Sequence, residues 1–518
     1  MNRKVQNILT GGDKPGRVLT LGIQHVFAMF GSTVLVPALT GLDPAVTLFC
    51  MGIGTLIFHL ITSGKVPAFM GSSFSFIASI TAVAAYYGYD SSSGVGMGEI
   101  AAYVGGGIIA SGLMYVILAL IVKLIGAKRV TGFFPPVVTG CMIIIIGMML
   151  APTAMGNITN VPGTMADNTK VAIVNTIERQ ETDEHGNAKT VTYGAYEDNG
   201  ATYYVNMADM SATEEEGYTH FSLRNTKQYT MDGDDLTAVS SGYTWKYWLV
   251  AVFTVLVVVL VMFFAKGFLS LIPILIGIIA GYLLSLALGL VDFAPVASKS
   301  LFDVPHLVLP KFSWYAISMI APISIVTFVE HVGDITANGA VTGCDYIEDP
   351  GLHRTLLGCG LASIFSGAMG GPAATTYSEN TGVLAATRNY NPATLRVAAV
   401  FALLLSFFGK VCGVLQTIPA PVMGGVSIVL FGMIASVGLR MLVENGVDFT
   451  KNRNLIIAAV MMVIGLGLTN GITIGSVTVS GVAIAALLGI ILNKILPSEA
   501  KEAAREEKER KEKAQAKK

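Results

Sequence analysis

Charge is the component this chain has least of. Only 13% of its 518 residues are Asp, Glu, Lys or Arg, against about 25% in a soluble domain. What charge remains nearly cancels, with 33 basic and 34 acidic side chains. That excludes the concentrated basic surface needed to hold a nucleic-acid backbone. Cysteine is scarce as well. Cys50, Cys141, Cys344, Cys359 and Cys412 are scattered, mostly within or beside apolar runs, and no pair has metal-ligand spacing. They read as small apolar residues, and no metal is expected. The sequence offers no nucleotide loop and no nucleophile–base pair, so an enzyme is set aside and no cofactor is implied. A cleavable leader is not expected either, because the N-terminus is polar and the first apolar run, from Val18, is long enough to span and lacks a clear cleavage site.

Apolar residues fill the space that charge leaves. They make up 53% of the chain, and the mean hydropathy is +0.64. A bilayer core takes about 20 apolar residues per helix. Candidate spans lie near 18–38, 45–63, 66–86, 98–125, 132–153, 246–265, 268–290, 315–339, 353–370, 373–387, 393–412, 420–441, 454–470 and 473–494. The expected fold class is therefore an all-α polytopic membrane protein of roughly fourteen spans. The third and tenth segments are rich in Gly, Pro, Ser and Thr, and neither reads as a simple helix.

Orientation follows from the short loops. Arg3, Lys4, Lys14 and Arg17 precede the first span. Lys65, Lys123, Lys128, Arg129, Lys266, His353, Arg354, Arg388, Arg440, Lys451 and Arg453 fall on the same side, and Lys410 is the exception. By the positive-inside rule both termini are cytoplasmic. Residues 155–244 are then a polar extracellular insertion, without cysteine, in which Lys189–Tyr193 and Ala201–Val205 alternate as strands do; a small β-rich cap and a mobile loop are both open. The tail from Ser498 interleaves Glu with Lys and Arg, including Glu506/Arg510 and Glu507/Lys511, which suits an exposed charged helix.

An internal repeat points to a site. Pro136, Gly140 and Gly147 have the spacing of Pro421, Gly425 and Gly432. Upstream, Pro67-Ala68 leads to Phe74 by the same seven-residue step that takes Pro372-Ala373 to Glu379. The shared order suggests a duplication of about seven spans per half. An odd number of spans inverts the second half, and transporters built from inverted repeats bind near the midplane, where helices are discontinuous. The runs Val66–Phe76 and Gly371–Asn380 are the candidates for that break. Non-helical backbone at this depth must be buried in protein or face a cavity. Two short extended segments satisfy most of their backbone groups by pairing with each other, in short antiparallel strands within spans 3 and 10.

Ionisable residues inside spans are costly and usually functional. The eighth span holds Glu330, His331 and Asp334, with Glu330 and Asp334 on one helix face. The tenth holds Glu379 and Asn380, and the first holds Gln24 and His25. No Lys or Arg lies deep enough to neutralise the two glutamates. Membrane carboxylates of this kind can pick up and release protons. His25 reads first as a structural hydrogen-bond partner.

The stretch Glu379-Asn-Thr-Gly-Val-Leu-Ala-Ala-Thr-Arg388 fits the signature of the nucleobase–ascorbate transporter family. Gln24-His25, Gly71–Phe76, Phe328–Gly333, Asp349–Arg354 and Pro421–Gly425 are similar to blocks of that family in the same order. The resemblance runs from about residue 18 to 495, apart from the insertion. It implies fourteen spans in two inverted repeats, with a core domain (spans 1–4 and 8–11) and a gate domain (5–7 and 12–14). Mapped on this chain, residues 18–154 hold spans 1–5, 245–292 the gate spans 6–7, 314–413 the core spans 8–11 and 414–496 the gate spans 12–14. Residues 1–17 and 497–518 are the cytoplasmic ends. It also implies a cell-membrane homodimer that moves a nucleobase; the membrane carboxylates point to a proton as coupling ion, with sodium as the rival. Glu330 and Glu379 would bind polar edges of the base, Phe74 would pack against its ring, and the Ser378–Glu379 backbone would meet its carbonyls. Tyr377 counts with these binding residues, Asp334 with Glu330 for the proton, and Gln24, His25 and Asn380 as support.

Two departures from the family bear on the cargo. Asp334 stands where its uracil carriers often have His, and purine carriers tend to be acidic there. Ser378 stands where Gly is usual. Glu379 itself favours uracil, and xanthine or urate is the alternative. A channel or anion exchanger of the same architecture is the alternative of another class, and two glutamates in the site argue against an anion.

Overall fold

A computed structural model describes residues 15–88, 97–159, 170–171, 173–182, 188–198, 201–207, 211–215, 218–222, 228–232, 235–238, 244–468, 471–474 and 477–497. The charged tail expected from Ser498, and Arg3, Lys4 and Lys14, lie outside the described residues. The chain is mostly helical. Seven described helical segments are long and apolar enough to cross a membrane: 16–40, Pro44–Ile61, 98–125, 136–159, 245–264, 314–342 and Ala420–Glu444. The bent pair Pro392–Leu405 and Gly409–Gln416 counts as one more. Shorter apolar helices cover Phe74–Tyr86, Pro273–Ala287, Asn452–Gly467 and Gly481–Ile495. This is a multi-pass membrane protein, and its outward faces keep large apolar side chains exposed, among them Leu120, Leu256, Phe263 and Val463. Lipid, not water, is the solvent there.

The elements run as follows. Helices α1 (Pro15–Thr40) and α2 (Pro44–Ile61) lead to strand β1 (Met70–Ser72), a 3-10 turn at Phe74–Phe76 and α3 (Ile77–Tyr86). Then come α4 (Ala101–Ile125), the short α5 (Ala127–Thr131), α6 (Pro136–Met149) and α7 (Ala151–Thr159). The last of these corrects a boundary: the fifth span, expected to end at 153, continues as helix to Thr159, because Pro152 sits where a fresh first turn tolerates proline.

Strands β2 (Lys170–Val171) to β9 (Asp235–Ala238) follow. They include β4 (Ala188–Asp198) and β5 (Ala201–Asn206), which cover the two alternating runs noted in the sequence. With β3 (Asn175–Thr182), β6 (Ser211–Glu215), β7 (Tyr218–Ser222) and β8 (Gln228–Asp232), one sheet has the order β3-β4-β5-β8-β9 and a smaller one β2-β7-β6. Val191, Tyr193, Ala195, Tyr196 and Val205 are buried, so the insertion has an apolar centre of its own.

Next come α8 (Thr244–Phe264), α9 (Pro273–Ala287) and α10 (Ala294–Ser298), which close the first half, and then α11 (Trp314–Ile320), α12 (Ile323–Thr342) and α13 (Leu352–Ala368) of the second. It continues with β10 (Ala374–Thr376), α14 (Ser378–Thr387), α15 (Pro392–Leu405), α16 (Gly409–Gln416), α17 (Ala420–Glu444), α18 (Asn452–Gly467), the hairpin β11–β12 (Ile472–Ile474, Val477–Val479) and α19 (Gly481–Ile495). The eighth span runs through a turn at Pro322, between α11 and α12, as one segment, and one expected span is broken. The segment expected as one span over 393–412 bends by 84° between α15 and α16. There the 301–303 backbone takes over the helix's hydrogen bonding: Gly409 N–H donates to Leu301 O, and Asp303 N–H donates to Phe407 O.

Packing follows a pattern that exchanges the halves. α8 packs on α17 and α9 on α1, while α18 packs on α6 and α19 on α12. Helices α4 and α13 cross where glycines face each other: a Cβ on Gly112 would lie 2.7 Å from Gly360 O, and one on Gly360 2.8 Å from Gly112 O. At the α6–α17 crossing a Cβ on Gly438 would lie 2.7 Å from Gly140 O. Small residues let membrane helices approach this closely, where dispersion does the holding. We expect Gly112→Val to lower the unfolding midpoint in detergent well below that of Gly467→Val. A Cβ on Gly467 has nothing within 4 Å, so equal midpoints would show that the crossing tolerates bulk.

Candidate functional site

α2 ends at Ile61 and α13 at Ala368, Pro67 and Pro372 follow in the connections, where they disfavour a return to helix, and the chain beyond each becomes extended. β1 and β10 pair antiparallel, with Met70 opposite Thr376, Gly71 opposite Thr375 and Ser72 opposite Ala374. Ser73 N–H donates to Ala373 O and Tyr377 N–H to Phe69 O, which lengthens the ladder at both ends. Gly71 is required by a close approach: a Cβ there would enter the Tyr377 ring.

A two-stranded ribbon in a protein interior leaves its outer edges unpaired, at a cost comparable to a lost hydrogen bond for each group. Side chains from flanking helices fill them. On the first edge, Thr55 of α2 accepts from Met70 N–H (2.9 Å) and lies 3.4 Å from Met70 O. On the other, Ser363 of α13 accepts from Ala374 N–H (3.1 Å) and donates to Ala374 O (3.2 Å). His59 Nε2 donates to Ala68 O, Ser366 Oγ to Pro372 O and Asn338 Nδ2 to Pro67 O. None of these was singled out in the sequence. We expect Ser363→Ala, which strands a buried N–H and C=O, to cost about 1–3 kcal/mol. Thermal unfolding should register that loss against Thr336→Ala, an exposed threonine that bonds only its own helix backbone.

Around the ribbon stand most of the residues expected at the site. Glu330 and Asp334 share a face of α12, and each meets a different half of the chain. Ser75 Oγ donates to Glu330 Oε2 (3.0 Å), and Thr376 Oγ1 donates to Asp334 Oδ2 (2.9 Å). Glu379 lies in the first turn of α14, where the helix dipole favours a carboxylate. Phe74, Glu330, Asp334 and Glu379 are half-buried and so border open space deep in the protein. The Phe74 and Tyr377 rings are nearly parallel, 5° between planes, with centroids 6.4 Å apart. Tyr377 is anchored by its hydroxyl, which donates to Ser72 O (2.8 Å). The N-cap residues of the 3-10 turn at Phe74 and of α14 make no side-chain cap bond; the Glu379 carboxylate takes a backbone N–H of its own turn, and other first-turn N–H groups are left for another acceptor. Ser378 opens α14.

His331 turns away from the carboxylates into α13. Thr355 donates its hydroxyl proton to Leu352 O (3.0 Å) and therefore accepts from His331 Nε2–H (3.0 Å). That assigns the imidazole proton to Nε2. His25 of α1 meets Asn380, whose Nδ2 donates to His25 Nδ1 (3.0 Å) and lies 3.3 Å from His25 O. This joins the first span to α14. Gln24, the residue before it, is half-buried.

The geometry can be set beside known proteins. The Permease family model matches residues 16–178 and 235–474. The chain is 38% identical over 505 residues to the uracil permease of Bacillus caldolyticus, covering 96% of each chain. It is 34% identical over 479 residues to the uracil permease of Escherichia coli K12, covering 92% of this chain and 91% of that one. Among solved structures it resembles the transmembrane domain of the cyanobacterial bicarbonate transporter BicA, with a TM-score of 0.53 and 14% identity over 91% of this chain and 96% of that one. It also resembles the murine Solute Carrier 26 family member A9 anion transporter in the inward-facing state, with a TM-score of 0.58 and 12% identity over 96% of this chain and 72% of that one. At such identities the likeness is one of fold. The relatives in sequence are permeases rather than enzymes, and this chain belongs to the Permease family, in its nucleobase–ascorbate transporter branch.

Proposed function

We propose that the protein is a secondary-active symporter that imports uracil with protons across the cell membrane. The observation that carries this reading is the ribbon β1–β10, with two glutamates, an aspartate and two parallel aromatic rings around it. Uracil is flat and presents N–H donors beside C=O acceptors along one edge. Carboxylates suit the N–H groups, uncapped backbone N–H groups suit the carbonyls, and aromatic faces suit the ring. Phe74 and Tyr377 take the ring, Glu330 and Glu379 its polar edge, and the first turn of α14 at Ser378–Glu379 its carbonyls. His25, with Gln24 beside it, and Asn380 hold α14 in register with α1. The names of the sequence relatives support uracil over a purine.

In this reading fourteen spans form two inverted seven-span repeats. The half-exchanging pattern of helix contacts supports it, as do the paired edge caps from Thr55 and Ser363. Spans 1–4 and 8–11 form a core carrying the site, and spans 5–7 and 12–14 a gate against which the core moves, with both termini cytoplasmic and two copies forming a dimer. Glu330 and Asp334, one turn apart, titrate as a coupled pair and carry the proton.

The test is uptake of labelled uracil into proteoliposomes, with xanthine as competitor, under an inward proton gradient, a sodium gradient or neither. Uracil accumulation under the proton gradient alone is expected. Stronger uptake of xanthine would replace the cargo, and dependence on sodium would replace the coupling ion.

A further inference from the structure

The end of the molecule away from the β-rich insertion carries a second polar recess, unrelated to the ribbon. Three helix ends meet there: the C-terminal turn of α4 running into α5, the first turn of α18 and the last turn of α19. The recess measures about 460 Å³, and Lys128, Arg129, Phe133, Asn493 and Lys494 line it. Lys494 Nζ sits 4.5 Å from the centre of the Phe133 ring, which holds the ammonium at the rim. Behind it, Arg453 donates from Nη2 to Asn493 O and to Asn493 Oδ1. The Asn493 carbonyl oxygen is thus engaged, and its amide N–H groups are left to face the recess. Arg453 Nε–H is buried without a partner. Among the described residues no carboxylate pairs with Lys128, Arg129, Lys494 or Arg453. The polar side chains here present donors only.

The surroundings are apolar and outward-facing. Leu124 and Ile495 are each 74% exposed, and Phe133 is 40% exposed. Water would penalise so much bare hydrocarbon, whereas lipid does not. A recess whose lining polar side chains offer donors, edged by exposed apolar side chains at the ends of spanning helices, matches a molecule with an anionic head and hydrocarbon tails. We propose that this recess holds the phosphodiester headgroup of an anionic phospholipid, with the acyl chains lying along α4 and α19. The proposal is independent of the cargo and of the coupling ion.

The test uses the full-length protein in nanodiscs of dioleoylphosphatidylcholine alone or mixed equally with dioleoylphosphatidylglycerol. The wild type is expected to unfold at a higher temperature in the mixture. Native mass spectrometry should show phosphatidylglycerol retained over phosphatidylcholine. The triple variant Lys128→Gln/Arg129→Gln/Lys494→Gln should lose the increment and about a hundredfold in lipid affinity. Lys266→Gln, in the α8–α9 connection, should keep both. Should the triple variant not fold, Lys128→Gln and Lys494→Gln alone should each reduce the increment. Equal unfolding temperatures in the two lipid compositions would overturn the proposal, as would an increment that survives the substitutions. If inorganic phosphate in phosphatidylcholine nanodiscs reproduced the increment, the recess would be a free-anion site and not a lipid site. If the increment appeared only after truncation beyond Pro497, the chain's own glutamates would be the occupant.

Discussion

Glu379→Ala should lose nucleobase binding while still folding and reaching the membrane. Glu379 is half-buried in the first turn of α14, and no Lys or Arg pairs with it among the described residues. Apart from a backbone N–H of its own turn, a carboxylate placed this way is left for a donor from outside the protein. Removing one charge-assisted hydrogen bond costs about 1.5–3 kcal/mol, roughly ten- to a hundredfold in affinity. Calorimetric titration of the purified variant with uracil reads this directly, and its unfolding midpoint separates lost binding from lost fold. Uracil affinity equal to the wild type would remove Glu379 from the site. Glu379→Gln keeps the shape and changes the hydrogen-bonding sense of one atom, and it should weaken uracil more than xanthine.

A second large effect is expected from Asp334→Asn, on coupling and not on binding. Asp334 receives the Thr376 hydroxyl at 2.9 Å and shares its helix face with Glu330, which receives the Ser75 hydroxyl at 3.0 Å. Thr376 belongs to β10, so the Asp334 carboxylate is tied to the ribbon itself, and a change in its charge is felt there. Asparagine still accepts from Thr376 but cannot exchange a proton. Exchange of labelled for unlabelled uracil should therefore persist, while accumulation driven by a pH gradient should fall to the level seen without one. Undiminished proton-driven accumulation would transfer the role to Glu330. Uptake by the wild type that follows sodium and ignores pH would end the proton mechanism for both residues.

Much of this site is legible in the residues alone because it violates what lipid-embedded sequence normally does. Prolines at 67 and 372, followed by Gly, Ser and Thr, cannot continue a helix, and β1 and β10 lie at those positions. Carboxylates at 330 and 334 stand out in an apolar run, and the four-residue spacing alone places them on one face. The alternation at 189–193 and 201–205 is found in β4 and β5. Other parts carry no local signal. Thr55 and Ser363 look like any small polar residue in a membrane helix, where such hydroxyls usually bond their own backbone four residues back, as Thr40, Ser285 and Thr55 itself do. Only the approach of a strand from elsewhere turns them into caps. Ser75 and Glu330 are 255 residues apart, and no spacing rule reaches that far. The 84° bend after α15 was hidden for the same reason, since the competing backbone partners at 301–303 lie about a hundred residues upstream.

The glycine crossings have a consequence for genetics. A side chain at Gly112, Gly360 or Gly438 would strike a main-chain carbonyl oxygen of the opposite helix, at Gly360, Gly112 and Gly140 respectively, and trimming the Ile364 or Ile144 side chain beside it would leave that collision in place. When bulk collides with a side chain, a second mutation can trim the neighbour and restore the fit. A carbonyl cannot be trimmed by any codon change. Suppressors of a lesion at these positions should therefore be absent from the facing residue. They should map instead to places that let a whole helix move aside, such as the turns entering α4 or leaving α13. A suppressor screen on a growth-dependent transport defect would draw that map, with true revertants dominating at the crossings themselves.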